Sequence, residues 1–302
     1  GDHHVMIFGG KGGVGKTSCA AAASIYWANS GLDTLILSSD LEPSLSDIFE
    51  ISTLDSPNPK KLANHLWGIE IKTEEVMRRW KLKYGPEIYA AASALVDMEY
   101  EQVVDYVALA PGIQEEFLLE YIHDLAHNSD YERIVWDTAP AGDTLRLLGF
   151  PEKLLSHLRL APRVYMDIRD RFNLSQMPFS EIIASWSELS ARIKEWLCDR
   201  TQLGATLVTI PESLAVYQTE RLVSKFTEFG IHVDNLIINR VLDQNEGEYA
   251  QRQASLQKPN IRRLRHLFDS EMTVVEVPAM GEIRGMESIF ALSSHLTGAP
   301  SP

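Results

Sequence analysis

Eight consecutive residues have the types and the spacing to hold a phosphate chain: Gly10, Lys11, Gly12, Gly13, Val14, Gly15, Lys16 and Thr17. They match the pattern G-x-x-x-x-G-K-[ST]. Glycines let backbone N–H groups turn inward and cradle phosphate oxygens, with no Cβ in the way. A helix beginning at Lys16 adds partial positive charge at its amino end. Lys16 should reach the β- and γ-phosphates, and the Thr17 hydroxyl should ligate Mg²⁺. The candidate nucleotide contact is therefore Gly10, Gly12, Gly13, Val14, Gly15, Lys16, Thr17 and Ser18.

Such a loop works only between a strand and a helix, and the surrounding residues supply both. Residues 5–8 are an apolar run leading into Gly9 and Gly10. Residues 16–30 are rich in alanine, and Gly31 follows where a helix C-cap would stand. Further apolar runs end at chemically useful residues: 34–39 at Asp40, 133–136 at Asp137, 205–210 at Pro211, 235–238 at Asn239 and 273–277 at Pro278. Strands with no polar alternation are buried on both faces, which implies a parallel sheet covered by helices. Ligands of such sheets bind at the carboxyl ends of the strands. The expected fold class is α/β: a P-loop, doubly wound, mostly parallel sheet with a helical subdomain inserted. We expect residues 1–302 to form a single P-loop domain, with the helical subdomain drawn from segments 73–105 and 151–203.

In the first of those segments only Gly85-Pro86 stands as a breaker, and in the second the breaks fall near Pro162 and Pro178. Ile182, Ile183, Trp186, Leu189, Ile193, Trp196 and Leu197 repeat at helical spacing, opposite Glu181, Ser185, Glu188 and Arg192. That stripe either packs into the protein's own core or forms part of a groove for another hydrophobic segment. Residues 55–59 read as a loop.

Composition narrows the partners. The chain has 302 residues and a formal charge of −14, with 45% apolar and 23% charged residues. This acidity argues against a sequence-independent nucleic-acid binder and against docking on anionic lipid. No run approaches the roughly 20 apolar residues of a spanning helix, and the first residues lack the pattern of a secretory signal. The expectation is a cytoplasmic protein without stable membrane insertion. Two cysteines, Cys19 and Cys198, make neither a disulfide framework nor a metal cluster.

Lys11 turns the loop into the deviant form K-G-G-x-G-K-T. That form resembles the nucleotide-switched dimeric NTPases, which include MinD, ParA, the nitrogenase iron protein and the ArsA group. The resemblance implies that Lys11 reaches the nucleotide of a partner subunit, so that ATP brings a homodimer together. It places Lys11 in the catalytic set beside Lys16.

Residues 137–148 start Asp137-Thr138-Ala139-Pro140 and continue through Gly142, Asp143, Thr144, Leu145 and Arg146. Here the chain resembles the ArsA/Get family, the arsenite-pump ATPases and the ATPases that target tail-anchored membrane proteins. That family carries D-T-A-P-T-G-H-T-L-R. The resemblance implies that Asp137 supports the Mg²⁺ shell as a second-shell ligand, and that Pro140, Gly142 and Asp143 belong to a switch sensing the γ-phosphate. Ser39-Asp40 through Ser44-Leu45-Ser46-Asp47 resembles the first switch, in which Asp40 would orient the attacking water. Residues 66–71, Pro111 to Glu116, Ile210 to Ala215 with Thr219 to Arg221, Asn239-Arg240-Val241 and Pro278 to Gly285 match further family stretches in order. They imply that Asn239 hydrogen-bonds the adenine edge, with Pro278 and Arg284 lining its pocket.

Three departures stand out. Pro43 and Asp143 replace two histidines of the family, and the second change adds a carboxylate near the γ-phosphate. Only Met166 and Met177 fall in the later part of the helical region, where client grooves are methionine-rich. The cysteines of arsenite-sensing and zinc-bridged relatives are missing. The leading expectation is an ATP- and Mg²⁺-dependent homodimer acting on a hydrophobic membrane-protein segment. The alternative is the ATPase subunit of an arsenite or anion pump, partnered with a membrane pump subunit. Further alternatives are a MinD/ParA-like positioning switch, for which the largest basic cluster is Arg262, Arg263, Arg265 and His266, and a metallocofactor maturation ATPase.

Overall fold

The computed structural model describes residues 3–40, 44–52, 54, 57–93, 98–109, 112–158, 180–243 and 247–297. Of the residues named from sequence, Pro43, Pro111, Pro162, Met166, Met177 and Pro178 lie outside the described residues. The chain divides into two compact units, one of residues 1–71, 129–145 and 198–302, the other of residues 72–128 and 146–197.

The first unit is built on an eight-stranded sheet: β1 (Val5–Gly10), β2 (Thr34–Ser38), β3 (Lys60–Ala63), β4 (Leu66–Glu70), β5 (Arg133–Asp137), β6 (Leu203–Thr209), β7 (Val233–Val241) and β8 (Thr273–Pro278). Their order is β3-β4-β2-β5-β1-β6-β7-β8, and every pairing is parallel except β3 with β4. The expected mostly parallel sheet is found. β1 lies in mid-sheet, and the chain leaves it to form β2 on the far side of β5. This places a crevice at the carboxyl end of β1, where doubly wound sheets hold their ligands. All residues of β1, β2 and β6 are buried, as their unbroken apolar runs require.

Helix α1 (Lys16–Asn29) meets the sheet through Cys19, Ala20, Ala21 and Ala22, all fully buried; their small side chains allow close approach. It ends as expected: Gly31 takes φ +85° and donates to the Ala28 carbonyl at 3.0 Å. The short α2 (Leu45–Phe49) follows β2, and α6 (Ala141–Leu148) follows β5. α9 (Ser213–Glu228), α10 (Glu248–Phe268) and α11 (Gly285–Thr297) belong to the same unit, and α11 packs on α1.

The second unit contains α3 (Thr73–Ser93), α4 (Tyr100–Ala108), α5 (Ile113–Asn128), α7 (Phe150–Leu158) and most of α8 (Ser180–Cys198). One expectation is corrected here. Gly85-Pro86 does not break the helix; α3 runs through both residues. A Cβ on Gly85 would lie 2.2 Å from the Tyr100 hydroxyl, so the glycine admits a ring of α4. The α8 stripe lies in the unit's own interior: Ile182, Leu189, Ile193, Trp196 and Leu197 are buried, while Glu181, Ser185, Glu188 and Arg192 are exposed. Trp186 meets Phe117 edge-on at 5.7 Å, and Trp196 meets His123 at 5.3 Å. Of the two readings of that stripe, the core reading describes these residues.

Candidate nucleotide site

The loop that follows β1 admits only glycine at its ends. A Cβ at Gly10 would stand 2.4 Å from the Val208 carbonyl oxygen, a backbone atom that cannot swing away. Gly13 and Gly15 take φ +77° and +93°, conformations that L side chains rarely adopt. Gly15 caps α1, and a Cβ there would lie 2.4 Å from Asn239 Nδ2. α1 begins directly at Lys16, whose side chain is buried. Its first N–H groups therefore point along the loop, with Thr17 and Ser18 half-buried in the same turn. Lys11, Gly12 and Gly13 are exposed.

Asn239 acts on this loop from β7. Its Nδ2 donates to the Val14 carbonyl at 2.9 Å, and its Oδ1 accepts from Arg240 N at 2.9 Å. The sequence suggested a contact with the adenine edge; the bonds observed are to the loop and to its own strand. Pro278 ends β8, and Ala279 N donates to Val241 O at 2.8 Å, joining the two strand ends. Arg284 is exposed and its Nε pairs with Glu50 Oε1 at 3.3 Å, on the α2 side of the unit.

Two strand-end carboxylates stand near one another, and one of them, Asp137, lies beside Lys16. Asp137 is fully buried at the end of β5, and neither of its oxygens makes a hydrogen bond. Burial pushes its pKa up to about 7; the neighbouring Thr17 hydroxyl and Lys16 ammonium oppose that rise, and the Asp40 charge adds to it. A buried carboxylate with both oxygens unpartnered, beside an ammonium and a hydroxyl, has the donor chemistry of a hard-cation site. Among the described residues no cluster of three His, Cys, Asp or Glu could hold an ion alone. Asp40 is half-buried just beyond β2, and its N–H donates to Ser38 Oγ at 3.2 Å. Ser39 N donates to the Asp137 carbonyl at 3.1 Å, and Trp136 Nε1 donates to Ser39 Oγ at 2.8 Å. These bonds lock the ends of β2 and β5 together beneath both carboxylates.

The segment after Asp137 comes alongside. Thr138 Oγ1 donates to the Phe8 carbonyl at 2.7 Å, and Asp143 N donates to the Pro140 carbonyl at 2.9 Å. A Cβ on Gly12 would touch Pro140 Cγ at 4.0 Å, so this segment lies against the loop. Gly142 and Asp143 are exposed in the first turn of α6. A carboxylate there complements the helix's amino end. A cleft of about 850 Å³ beside the loop is lined by Lys11, Pro140, Gly142 and, from α9, Gln218, Glu220 and Arg221. Two matched family stretches of unassigned role, Ile210 to Ala215 and Thr219 to Arg221, hinted at this α9 wall.

The cysteines stand apart from this chemistry. Cys19 is buried and its thiol is pushed up to about 12 by burial, so it remains protonated. Cys198 donates to the Phe229 carbonyl at 3.2 Å. In the basic cluster of α10, Arg263 pairs with Glu220 at 2.7 Å and Arg265 with Glu276 at 2.7 Å.

A sequence model of the family described as anion-transporting ATPase matches residues 3–298. The chain is 29% identical over 301 residues to a Paramecium tetraurelia protein named ATPase ASNA1 homolog 1, covering 94% of this chain and 89% of that one. It is 29% identical over 310 residues to ATPase GET3A of Arabidopsis thaliana, covering 95% and 82% of the two chains. It is 28% identical over 300 residues to putative arsenical pump-driving ATPase 2 of Aquifex aeolicus (strain VF5), covering 97% and 98%.

Proposed function

The chain belongs to the anion-transporting ATPase family, and from that membership we propose a Mg²⁺-dependent, nucleotide-switched homodimer that couples ATP hydrolysis to the targeting of hydrophobic, tail-anchored membrane-protein segments. That the chain is an ATP-hydrolysing enzyme follows from the family and its ATPase-named relatives. The observation that carries the site assignment is the buried, unpartnered Asp137 beside Lys16 and Thr17.

In this reading the N–H groups of residues 10–18 bind the phosphates, and Lys16 offsets charge on the β- and γ-phosphates. Thr17 would hold Mg²⁺ directly and Asp137 through water; when bound, the ion neutralises phosphate charge. Asp40 accepts a hydrogen bond from the attacking water and aims it; a carboxylate beside phosphate orients water without being a strong base. Lys11, exposed at the mouth of the cleft, is free in direction to meet the nucleotide of a second copy. Pro140, Gly142 and Asp143 form the switch that reports the γ-phosphate, and Asn239, Pro278 and Arg284 border the base.

The targeting reading is supported by apolar surface on the helical unit: Leu82, Tyr106 and Leu109 are 68%, 77% and 79% exposed. A flexible hydrophobic client is the partner such a surface suits. Pump driving is the second reading, favoured by relatives named arsenical pump-driving ATPases. Arsenite is thiophilic, yet Cys19 is buried and protonated, so Cys198 is left to sense it. The test is co-expression with a tail-anchor peptide, followed by crosslinking. Crosslinks to residues 82, 106 and 109 support targeting. Arsenite-stimulated turnover that Cys198→Ser removes would overturn it in favour of the pump. Among the described residues no helix is long and apolar enough to cross a membrane.

A further inference from the structure

We propose that Glu70 is a positioning residue for hydrolysis, holding the segment that carries Asp40 through the start of α2. The proposal rests on the reading of Asp40 as the water-orienting carboxylate. Glu70 is the last residue of β4 and its side chain is buried. Its Oε1 accepts from Leu45 N at 2.9 Å, Ser46 N at 3.0 Å and Ser46 Oγ at 3.0 Å. Its Oε2 lies 3.0 Å from the same hydroxyl. Burying a carboxylate is unfavourable unless donors surround it, and here all the donors come from one short helix.

That helix needs an external hold. A helix of five residues is far below the length that is stable alone. Ser44, at its N-cap, makes no side-chain cap bond, and its buried hydroxyl has no partner. Glu70 does from β4 what Ser44 leaves undone. Leu45 and Phe49 anchor the helix in the core, but apolar contact is non-directional and does not fix where its first turn begins.

The hold reaches Asp40 from both sides. β4 pairs with β2 so that Glu70 lies level with Ser38, two residues before Asp40. Ile71 N donates to the Ser38 carbonyl at 2.9 Å, and Glu70 N donates to the Leu54 carbonyl at 3.0 Å. Four peptide links join Asp40 to Ser44, a reach of at most about 15 Å. The strand entering Asp40 and the helix after it are therefore tied to two adjacent residues, the first to the Ile71 N–H and the second to the Glu70 carboxylate. Released at α2, the chain that follows Asp40 loses the hold Glu70 supplies, and a carboxylate displaced by about 1 Å no longer aims a water well.

The test uses the full chain with Glu70→Ala and Glu70→Gln, beside Asp40→Asn. Turnover, the Kd for an ATP analogue with Mg²⁺, and amide exchange at residues 45–46 are measured. Glu70→Ala is expected to lower kcat by about 10- to 100-fold while Kd stays within about twofold. Exchange should quicken at 45–46 and not in β2 or β4. Gln keeps one carbonyl for the two N–H donors, so Glu70→Gln should recover kcat to within about threefold of the wild type. An unchanged kcat in Glu70→Ala, or a parallel loss of kcat and ATP binding, would overturn the proposal. Should the Ala variant not fold, Glu70→Gln decides: wild-type kcat despite faster exchange at 45–46 overturns it equally. Normal turnover in Asp40→Asn removes the underlying reading, whereas an inactive Asp40→Asn beside a normal Glu70→Ala removes only this one.

Discussion

Asp137 and Glu116 are both buried carboxylates pushed up to about 7 by burial, one in each unit, and their surroundings give them opposite meanings. Asp137 ends a sheet strand beside Lys16 and Thr17, with both oxygens unpartnered. Glu116 takes a hydrogen bond from Ser190, keeps Oε2 unpartnered, and stands near another acid, Glu120. Its unit's interior is made of rings: Phe117 lies 4.9 Å from Tyr84, 5.7 Å from Trp80 and 5.7 Å from Trp186. A carboxylate among a cation and a hydroxyl is suited to a second cation; one among rings and a like charge is suited to a proton. Equal shifts thus fit a ligand site in the proposed reading of one unit and a packing compromise in the other.

The strongest way to break this contrast is to remove charge from the nucleotide unit. Lys16→Ala should abolish ATP turnover, a loss of at least about 100-fold. Asp40→Asn should abolish turnover as well but still bind ATP, because an amide retains size and loses only the charged acceptor. Steady-state ATPase assays and analogue binding separate the two. An Asp40→Asn protein that turns over normally would deny Asp40 its role.

A paired glycine experiment comes next. Gly15→Ala places a Cβ 2.4 Å from Asn239 Nδ2 at φ +93°. Gly112→Ala, in the helical unit, places one 1.7 Å from Phe150 Cζ at φ +92°. Both should destabilise by roughly 1–3 kcal/mol through strain and overpacking. Gly15→Ala should also weaken ATP binding more than about tenfold, since the loop must shift to relieve the contact. Gly112→Ala should lower Tm with an unchanged Kd. Equal effects on Kd would mean the two units do not divide the labour in this way.

That division explains what was legible in the sequence. The loop from Gly10 to Thr17 was readable because backbone geometry there permits few residue types, and the apolar strands were readable because both faces are covered. Asp137 could be placed at a strand end, but not its lack of partners, which depends on atoms from β5 and α1 together. Asn239 as a brace of Val14, and Glu70 as the clamp on α2, join residues 225 and 25 positions apart, and no local pattern encodes such a contact. In the helical unit, Gly85-Pro86 read as a stop by local propensity; tertiary packing of Tyr100 against Gly85 prevailed. The α8 stripe showed which face is apolar, but periodicity does not say whether a partner or the protein itself covers it.

The smallest expected effect tests the proton assigned to Glu116. An unfolded glutamate titrates near 4.3, and the folded one at about 7. Below the lower value both states hold the proton and the carboxyl contributes its full stability. Between the two the folded chain alone keeps it, so stability falls as pH rises, by at most about 1.4 kcal/mol per unit. Above 7 the loss is complete and the curve flattens. Glu116→Gln keeps an oxygen for the Ser190 hydroxyl and cannot titrate. Its Tm relative to the wild type should therefore rise between pH 5 and 7 and then hold, followed by near-ultraviolet circular dichroism from the packed rings. Neither turnover nor ATP affinity should follow that curve. The reverse trend, a wild type gaining on the Gln variant as pH rises, would mean that a cation holds Glu116 ionised, and the two buried acids would then be alike.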